Sequence, residues 1–323
     1  MDVSNLSTPS QADSHRVDAF RDLATKRYLV IGAGVSGRAA ASALVGLGAA
    51  VSVIDGKAEQ LDLLDAGITP LLANDHEAMA QALAATTPDV VVASPGFAPH
   101  HRVLIEAAAR SVPIWSEVEL AWRIAPPGIV WIGLTGTNGK TTTVGMVSTI
   151  LTGAGMVAPA VGNIGDPVTT TVLNAREGAT SLDALALELS SFQLHFTSSM
   201  TLTAAACLNV ADDHLDWHGS RAEYEAAKGR IYRGVSDRAV YNAQDDTTRR
   251  LATTAPRGPH ASLQGFTLGH PRSGESGVIG RELVEMSGED GLTLASLDDL
   301  AGVAISGAGG VARAPDHMVA HGL

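Results

Sequence analysis

IVWIGLTGTNGKTTT, residues 129–143, is an apolar run that stops at a glycine-bearing loop and restarts as a helix-forming segment. Strand, loop and helix in that order are the context of a phosphate cradle, because a helix N-terminus presents unpaired amides and the positive end of its dipole. The spacing, however, is unusual. In G-x-x-x-x-G-K-[ST] the first glycine would fall on Leu134, whereas here Gly133 and Gly136 flank that position. The chemistry asks only for inward-pointing amides, a lysine that reaches terminal phosphates and a hydroxyl for magnesium. Gly136, Gly139, Lys140 and Thr141 can supply these. A glycine turn carrying an exposed lysine is the competing reading.

Outward from this loop the chain alternates short β-branched runs with Ala/Leu-rich stretches. RYLVIGAG, a helical SGRAAASALVGL, AVSVID, a helical EQLDLLDA and DVVVASPG precede it; a helix from about Gly139 to Leu151, LALELSS and TAAACLNV follow it. Strands and helices alternating in this way predict an α/β protein with parallel sheets and right-handed crossovers. The 323 residues imply about two domains, and Pro126, Pro127 and Gly128 mark the break between them. The expected organisation is a disordered tail over 1–24, a Rossmann-like domain over 25–125 and a central domain over 126–314. GAGG near Gly307 reads as a loop.

Composition excludes several classes. The net charge is −12 with no basic cluster, so nucleic acid is not an expected partner. One cysteine, Cys207, cannot form an internal disulfide, and the polar opening MDVSNLSTPSQADSH lacks the plan of a signal peptide. No apolar run of about 18 residues is available to span a bilayer. The expectation is a cytoplasmic protein.

A second glycine loop, VIGAGVSGRAA, carries G-x-G-x-x-G at Gly32, Gly34 and Gly37 between a strand and a helix. Asp55, at the end of the next strand, is placed to accept hydrogen bonds from a ribose or base. By itself this loop fits a nicotinamide or flavin dinucleotide, another phosphorylated ligand, or a structural turn. Beyond the first loop, Glu188 ends the apolar strand of LALELSSFQL, and TAAACLNVADDHLDWHG delivers Asp212, Asp213, His214 and Asp216 where open α/β sheets place ligands. A lone strand-end glutamate is ordinarily solvated, and Lys228 in EYEAAKGRIY reads as a surface lysine.

Taken together these segments resemble the ATP-dependent Mur ligases, whose nucleotide loop is T-G-T-N-G-K-[ST]. The resemblance runs through most of residues 27–246 and includes GNIG at 162–165, ELSSFQL at 188–194, DDHLDWHGS at 212–220 and AAKGRIY at 226–232. ELSSFQL points within the family to ligation of D-glutamate to UDP-N-acetylmuramoyl-L-alanine. The resemblance implies that ATP phosphorylates the substrate carboxylate and that the amine of D-glutamate attacks the acyl phosphate. It implies an ATP site at Gly136, Thr137, Asn138, Gly139, Lys140, Thr141 and Thr142, with Asn242 and Asp245 near adenine. Two magnesium ions are implied, one on Thr141 and Glu188 and one on His214 and a carbamylated Lys228. Gly34, Val35, Ser36, Asp55, Ser94, Pro95 and Gly96 would face the UDP group, and Asn163 and Ser190 the muramoyl-alanine end. Catalytic roles fall on Lys140, Glu188, His214 and Lys228. Family members carry a third domain that supplies most of the amino-acid site. Residues 315–323 resemble the start of the linker into it, with Met318 where asparagine is usual, which predicts a shortened chain of doubtful turnover. The competing functions are an incomplete UDP-sugar- and ATP-binding fragment and a nicotinamide-dependent oxidoreductase.

Overall fold

The computed structural model describes residues 22–300. GAGG near Gly307, Met318, the 315–323 linker and most of the expected tail lie outside the described residues. Leu23 is already buried, and its carbonyl accepts from the Tyr28 hydroxyl.

The first sheet contains β1 (Arg27–Ile31), β2 (Ala50–Asp55), β3 (Ile68–Leu72), β4 (Val90–Ala93) and β5 (Ile114–Trp115). They are all parallel, in the order β3-β2-β1-β4-β5. The order reverses between β1 and β4, which opens a crevice at their C-terminal ends. The glycine loop after β1 and the SPGF turn after β4 meet there, with Ser94 Oγ donating to Gly32 O at 3.1 Å. A Cβ on Gly37 would lie 1.8 Å from Gly32 O, so this third glycine lets the following helix, Val35–Gly46, pack against the loop. The helix expected over EQLDLLDA is a single turn, Ala58–Leu61. Only six residues separate Leu61 from β3, so the chain must turn early. β3 itself contains Pro70, which an edge strand tolerates because one side needs no amide donor.

The second sheet has the order β14-β13-β12-β11-β10-β9-β6-β8-β7. Its strands are β6 (Val130–Thr135), β7 (Ala160–Gly162), β8 (Ala184–Glu188), β9 (Ala204–Cys207), β10 (Arg238–Asn242), β11 (Ser262–Phe266), β12 (Glu275–Ile279), β13 (Glu282–Ser287) and β14 (Asp290–Ser296). β6 to β12 pair in parallel, as expected. β12, β13 and β14 pair antiparallel, an extension the parallel pattern did not predict. Its signal was two Gly-X pairs, Gly280-Arg281 and Gly288-Glu289, with both glycines at positive φ as tight hairpins require.

One hydrophobic cluster runs from Val30 and Val92 of the first sheet through Trp122 and Trp131 to Leu187 and Ala205 of the second. Helix Glu117–Ile124 lies between, and two of its acids are buried. Glu117 accepts from the Thr169 amide (2.6 Å) and hydroxyl (2.7 Å), and burial raises its pKa. Burial also pushes Glu119 up, but hydrogen bonds from Ser199 and the charge of Arg123 outweigh it and hold this carboxyl below its ordinary value.

Candidate functional site

Register places the site. Leu134 at the end of β6 pairs with Glu188 of β8, Gly162 of β7 pairs with the same Glu188, and Thr135 pairs with Cys207 of β9. β6 lies between β8 and β9, so the loops leaving four strands converge at the point where the strand order reverses. Gly162 is confined to glycine: its φ is +113°, and a Cβ there would lie 2.4 Å from Glu188 O.

Contrary to the expectation for a strand-end glutamate, Glu188 is 2% exposed. Its Oε2 accepts from Thr141 Oγ1 at 2.7 Å, and its Oε1 accepts from Asn163 Nδ2 at 2.9 Å. It forms no ion pair among the described residues, so a buried carboxylate is balanced only by neutral donors. Lys140 Nζ donates to the carbonyls of Gly136 (2.9 Å) and Thr137 (3.1 Å), folded back on its own loop. Gly139 has φ +84° and starts helix Lys140–Gly153. The loop is clamped by Asn209, whose backbone carbonyl accepts from Thr137 N and whose side chain bonds Asn138 in both directions. Thr137 Oγ1 also lies 3.0 Å from the Tyr224 hydroxyl. Thr142 is exposed.

A cavity of about 100 Å³ brings together Gly136, Thr137, Lys140, Asn163, Ser190, His214 and Lys228, all expected in the site, with Ser191, Phe192, Asp213 and Tyr224. Lys228 is not a surface lysine: it is 2% exposed, because Tyr224 and Lys228 share the inward face of helix Arg221–Gly229. Its Nζ sits 4.7 Å from the centre of the Tyr224 ring. Burial, helped by the Lys140 charge, pushes its pKa down to about 8. His214 occupies the left-handed region at φ 51°, caps the one-turn helix Leu215–His218 and packs on Phe192 with ring centres 4.9 Å apart. Asp212 instead pairs with Arg221, and Asp216 is exposed. Among the described residues no three His, Cys, Asp or Glu side chains converge as a metal site.

Other expected residues serve the scaffold. Asp55 accepts from Ala33 N (2.7 Å) and Lys57 N (2.9 Å), bracing the first glycine loop. Asp245 caps helix Asp246–Thr254 and accepts from Val210 N at 2.9 Å. Asn242 donates to Leu208 O and accepts from Gln244 N. Ser190 caps helix Ser191–His195 in a reciprocal box with Gln193. Gly34, Val35 and Gly96 remain exposed, and Cβ atoms on the two glycines would meet nothing within 4 Å. The two crevices are linked: Trp217 Nε1 donates to Pro95 O at 3.2 Å.

The sequence reading missed the aromatic wall of Phe192, Trp217, His218 and Tyr224, and the Asn209 clamp. The 224/228 spacing, one helical turn, was the available signal for Tyr224.

Residues 134–267 match the model of the Mur ligase middle domain, and residues 17–98 match that of the alanine dehydrogenase/PNT C-terminal domain. The chain is 44% identical over 270 residues to UDP-N-acetylmuramoylalanine–D-glutamate ligase of Streptomyces avermitilis, covering 80% of this chain and 55% of that one. To the protein of the same name from Mycolicibacterium smegmatis it is 42% identical over 281 residues, covering 85% and 54%. It thus spans about half the length of these curated relatives. Among solved structures, UDP-N-acetylmuramate:L-alanyl-gamma-D-glutamyl-meso-diaminopimelate ligase from Neisseria meningitides gives a TM-score of 0.48 at 19% identity, covering 80% of this chain and 83% of that one. With its middle-domain match and its identity to these relatives over four fifths of its length, the chain belongs to the Mur ligase family.

Proposed function

We propose that this chain carries the UDP-substrate- and ATP-binding domains of a cytoplasmic, ATP-dependent ligase that joins D-glutamate to UDP-N-acetylmuramoyl-L-alanine in peptidoglycan precursor synthesis. The observation that carries the reading is the cavity where Lys140, Asn163, Ser190, His214 and Lys228 converge beside the Thr141–Glu188 pair. Residues 25–125 would hold the UDP group, with Gly34 and the helix start Val35–Ser36 and the Ser94–Gly96 turn toward the diphosphate and Asp55 behind them. Residues 126–314 would hold ATP, with Asn242 and Asp245 shaping the loop near adenine.

A carboxylate and a triphosphate repel each other, so the site must supply positive charge and exclude water. Lys140 would leave its loop carbonyls for the transferring phosphoryl group. The substrate carboxylate attacks the γ-phosphorus, the bond to ADP breaks, and the amine of D-glutamate then attacks the acyl carbon with phosphate leaving. Magnesium, when bound, supplies charge neutralisation. It usually keeps one or two carboxylates plus phosphate oxygens as ligands, which fits a buried, cation-free Glu188 beside the Thr141 hydroxyl. Thr141 and Glu188 would hold one ion, and His214 with a carbamylated Lys228 a second. The lowered pKa of Lys228 supports carbamylation, because only a neutral amine adds carbon dioxide. No helix among the described residues is long and apolar enough to cross a membrane.

The test is phosphate release from ATP and magnesium with UDP-N-acetylmuramoyl-L-alanine, comparing D-glutamate, L-glutamate and no amino acid. Release that depends on D-glutamate is expected. Nucleotide binding without release in any mixture would overturn turnover by this chain and leave a binding fragment. Binding of NAD(H) without a magnesium effect would overturn the ligase reading altogether.

A further inference from the structure

His218 is buried at 7% exposure, yet none of the roles above uses it. Its ring is boxed by Phe192 (centres 5.7 Å apart), Trp217 (4.5 Å), Tyr224 (5.2 Å) and His195 (6.2 Å), so packing holds it in one orientation. In that orientation Nε2 lies 2.9 Å from Ser191 Oγ, while Nδ1 is buried and meets no hydrogen-bonding group among the described residues. Ser191 is itself buried, lines the cavity shared by Lys140 and Lys228, and has no other side-chain partner among the described residues.

The two neutral tautomers make opposite arrangements. With the proton on Nδ1, an N–H donor is buried unpaired and Ser191 must spend its hydroxyl hydrogen on Nε2. With the proton on Nε2, only a lone pair is left unpaired, and Ser191 Oγ accepts the bond and keeps its hydrogen. An orphaned buried N–H is rarer in folded proteins than an under-used acceptor, so the second arrangement is favoured.

We propose that His218 is a positioning residue: as the Nε2–H tautomer it donates to Ser191 Oγ and turns the Ser191 hydroxyl hydrogen into the cavity, toward an anionic carboxylate or phosphoryl oxygen of the substrate. The substrate half of this inference rests on the ligase reading above; the tautomer half does not. Ser191 then contributes a fixed donor to the cavity that Lys140 also lines, where a hydroxyl oxygen turned the other way would repel the anion.

The experiment has two arms on the full chain. Long-range nitrogen–proton spectra of protein carrying ¹⁵N-labelled histidine, with His218→Phe assigning the signals, report which ring nitrogen carries the proton. A pyrrole-type Nε2 and a pyridine-type Nδ1 are expected, and the reverse overturns the proposal whether or not the chain is a ligase. In the second arm, binding of UDP-N-acetylmuramoyl-L-alanine is measured by calorimetry. His218→Phe and Ser191→Ala should each weaken it about 10-fold, the loss typical of one hydrogen bond to a charged group. The double variant should be no weaker than either single one. His218→Gln, whose amide N–H falls near Nε2, should recover most of the affinity, whereas His218→Asn should not. Additive losses, or equal loss in Gln and Asn variants with unchanged melting temperature, would overturn the positioning role. If the wild type binds no such nucleotide, the ligase reading fails and the spectra alone decide the tautomer.

Discussion

Replacing Lys228 with methionine should make the fold more stable while destroying the site. The lysine is 2% exposed and pairs with no carboxylate among the described residues, and its pKa falls from 10.5 to about 8, chiefly through burial. At pH 7 the group is charged in both states, so folding must bury an ammonium; the gap between 10.5 and about 8 corresponds to about 3 kcal/mol of destabilisation. The Tyr224 ring at 4.7 Å returns roughly 1 kcal/mol as a cation–π contact that methionine lacks. Lys228→Met should therefore gain about 2 kcal/mol at pH 7. The sign with pH follows from a depressed pKa: between pH 8 and 10.5 the folded state sheds its proton first, so wild-type stability catches up and the gain shrinks. Urea unfolding of both proteins in carbon-dioxide-free buffer at pH 7, 8.5 and 10 measures this, the difference cancelling all other titrating groups. A variant destabilised at pH 7, or a gain constant up to pH 10, would refute the argument that an uncompensated buried charge sits here. In bicarbonate, carbamylation would stabilise the wild type alone.

Three further outcomes are expected. Glu188→Gln should leave the melting temperature unchanged or raised while weakening magnesium-dependent ATP binding at least about 10-fold, as calorimetry with and without magnesium would show. Gly162→Ala should lose roughly 3 kcal/mol or more in denaturant unfolding, because φ +113° is strained for any L side chain and its Cβ would lie 2.4 Å from Glu188 O. Burial lowers His195 and His218 to about 4; both are neutral in either state above 6.5, and below it the unfolded chain binds protons first. Stability should fall from pH 6.5 toward 4, and less steeply in His195→Phe.

The elements readable in the sequence were those with strong local signals. AVSVID became β2 with the expected ends, and the helix after TGTNGK runs over Lys140–Gly153. EQLDLLDA carried a helical pattern but had to deliver the chain to β3 within six residues, a constraint its composition does not contain. β5 and β7 span only two and three residues and exist because neighbouring strands hold them.

The same division holds in the site. TGTNGK, the G-x-G-x-x-G loop and the DDH turn announced themselves, because tight loops at strand ends are built from local backbone sterics and short side chains that a sequence displays directly. Which of them meet was decided elsewhere. Thr141 and Glu188 are 47 residues apart and meet because the parallel strands β6 and β8 end at one edge, whereas Trp217 and Pro95, 122 apart, follow strands of different sheets and meet only because the loops of the two sheets pack together. Burial was equally hidden: Lys228 reads as a surface lysine and Glu188 as a solvated one until the packing of helix Arg221–Gly229 and the register of β6, β7 and β8 close over them. The sequence by itself determined the residue chemistry and the order of strands and helices. The tertiary structure decided which charges lose their water, because desolvation depends on everything packed around a group and not on its neighbours in the chain.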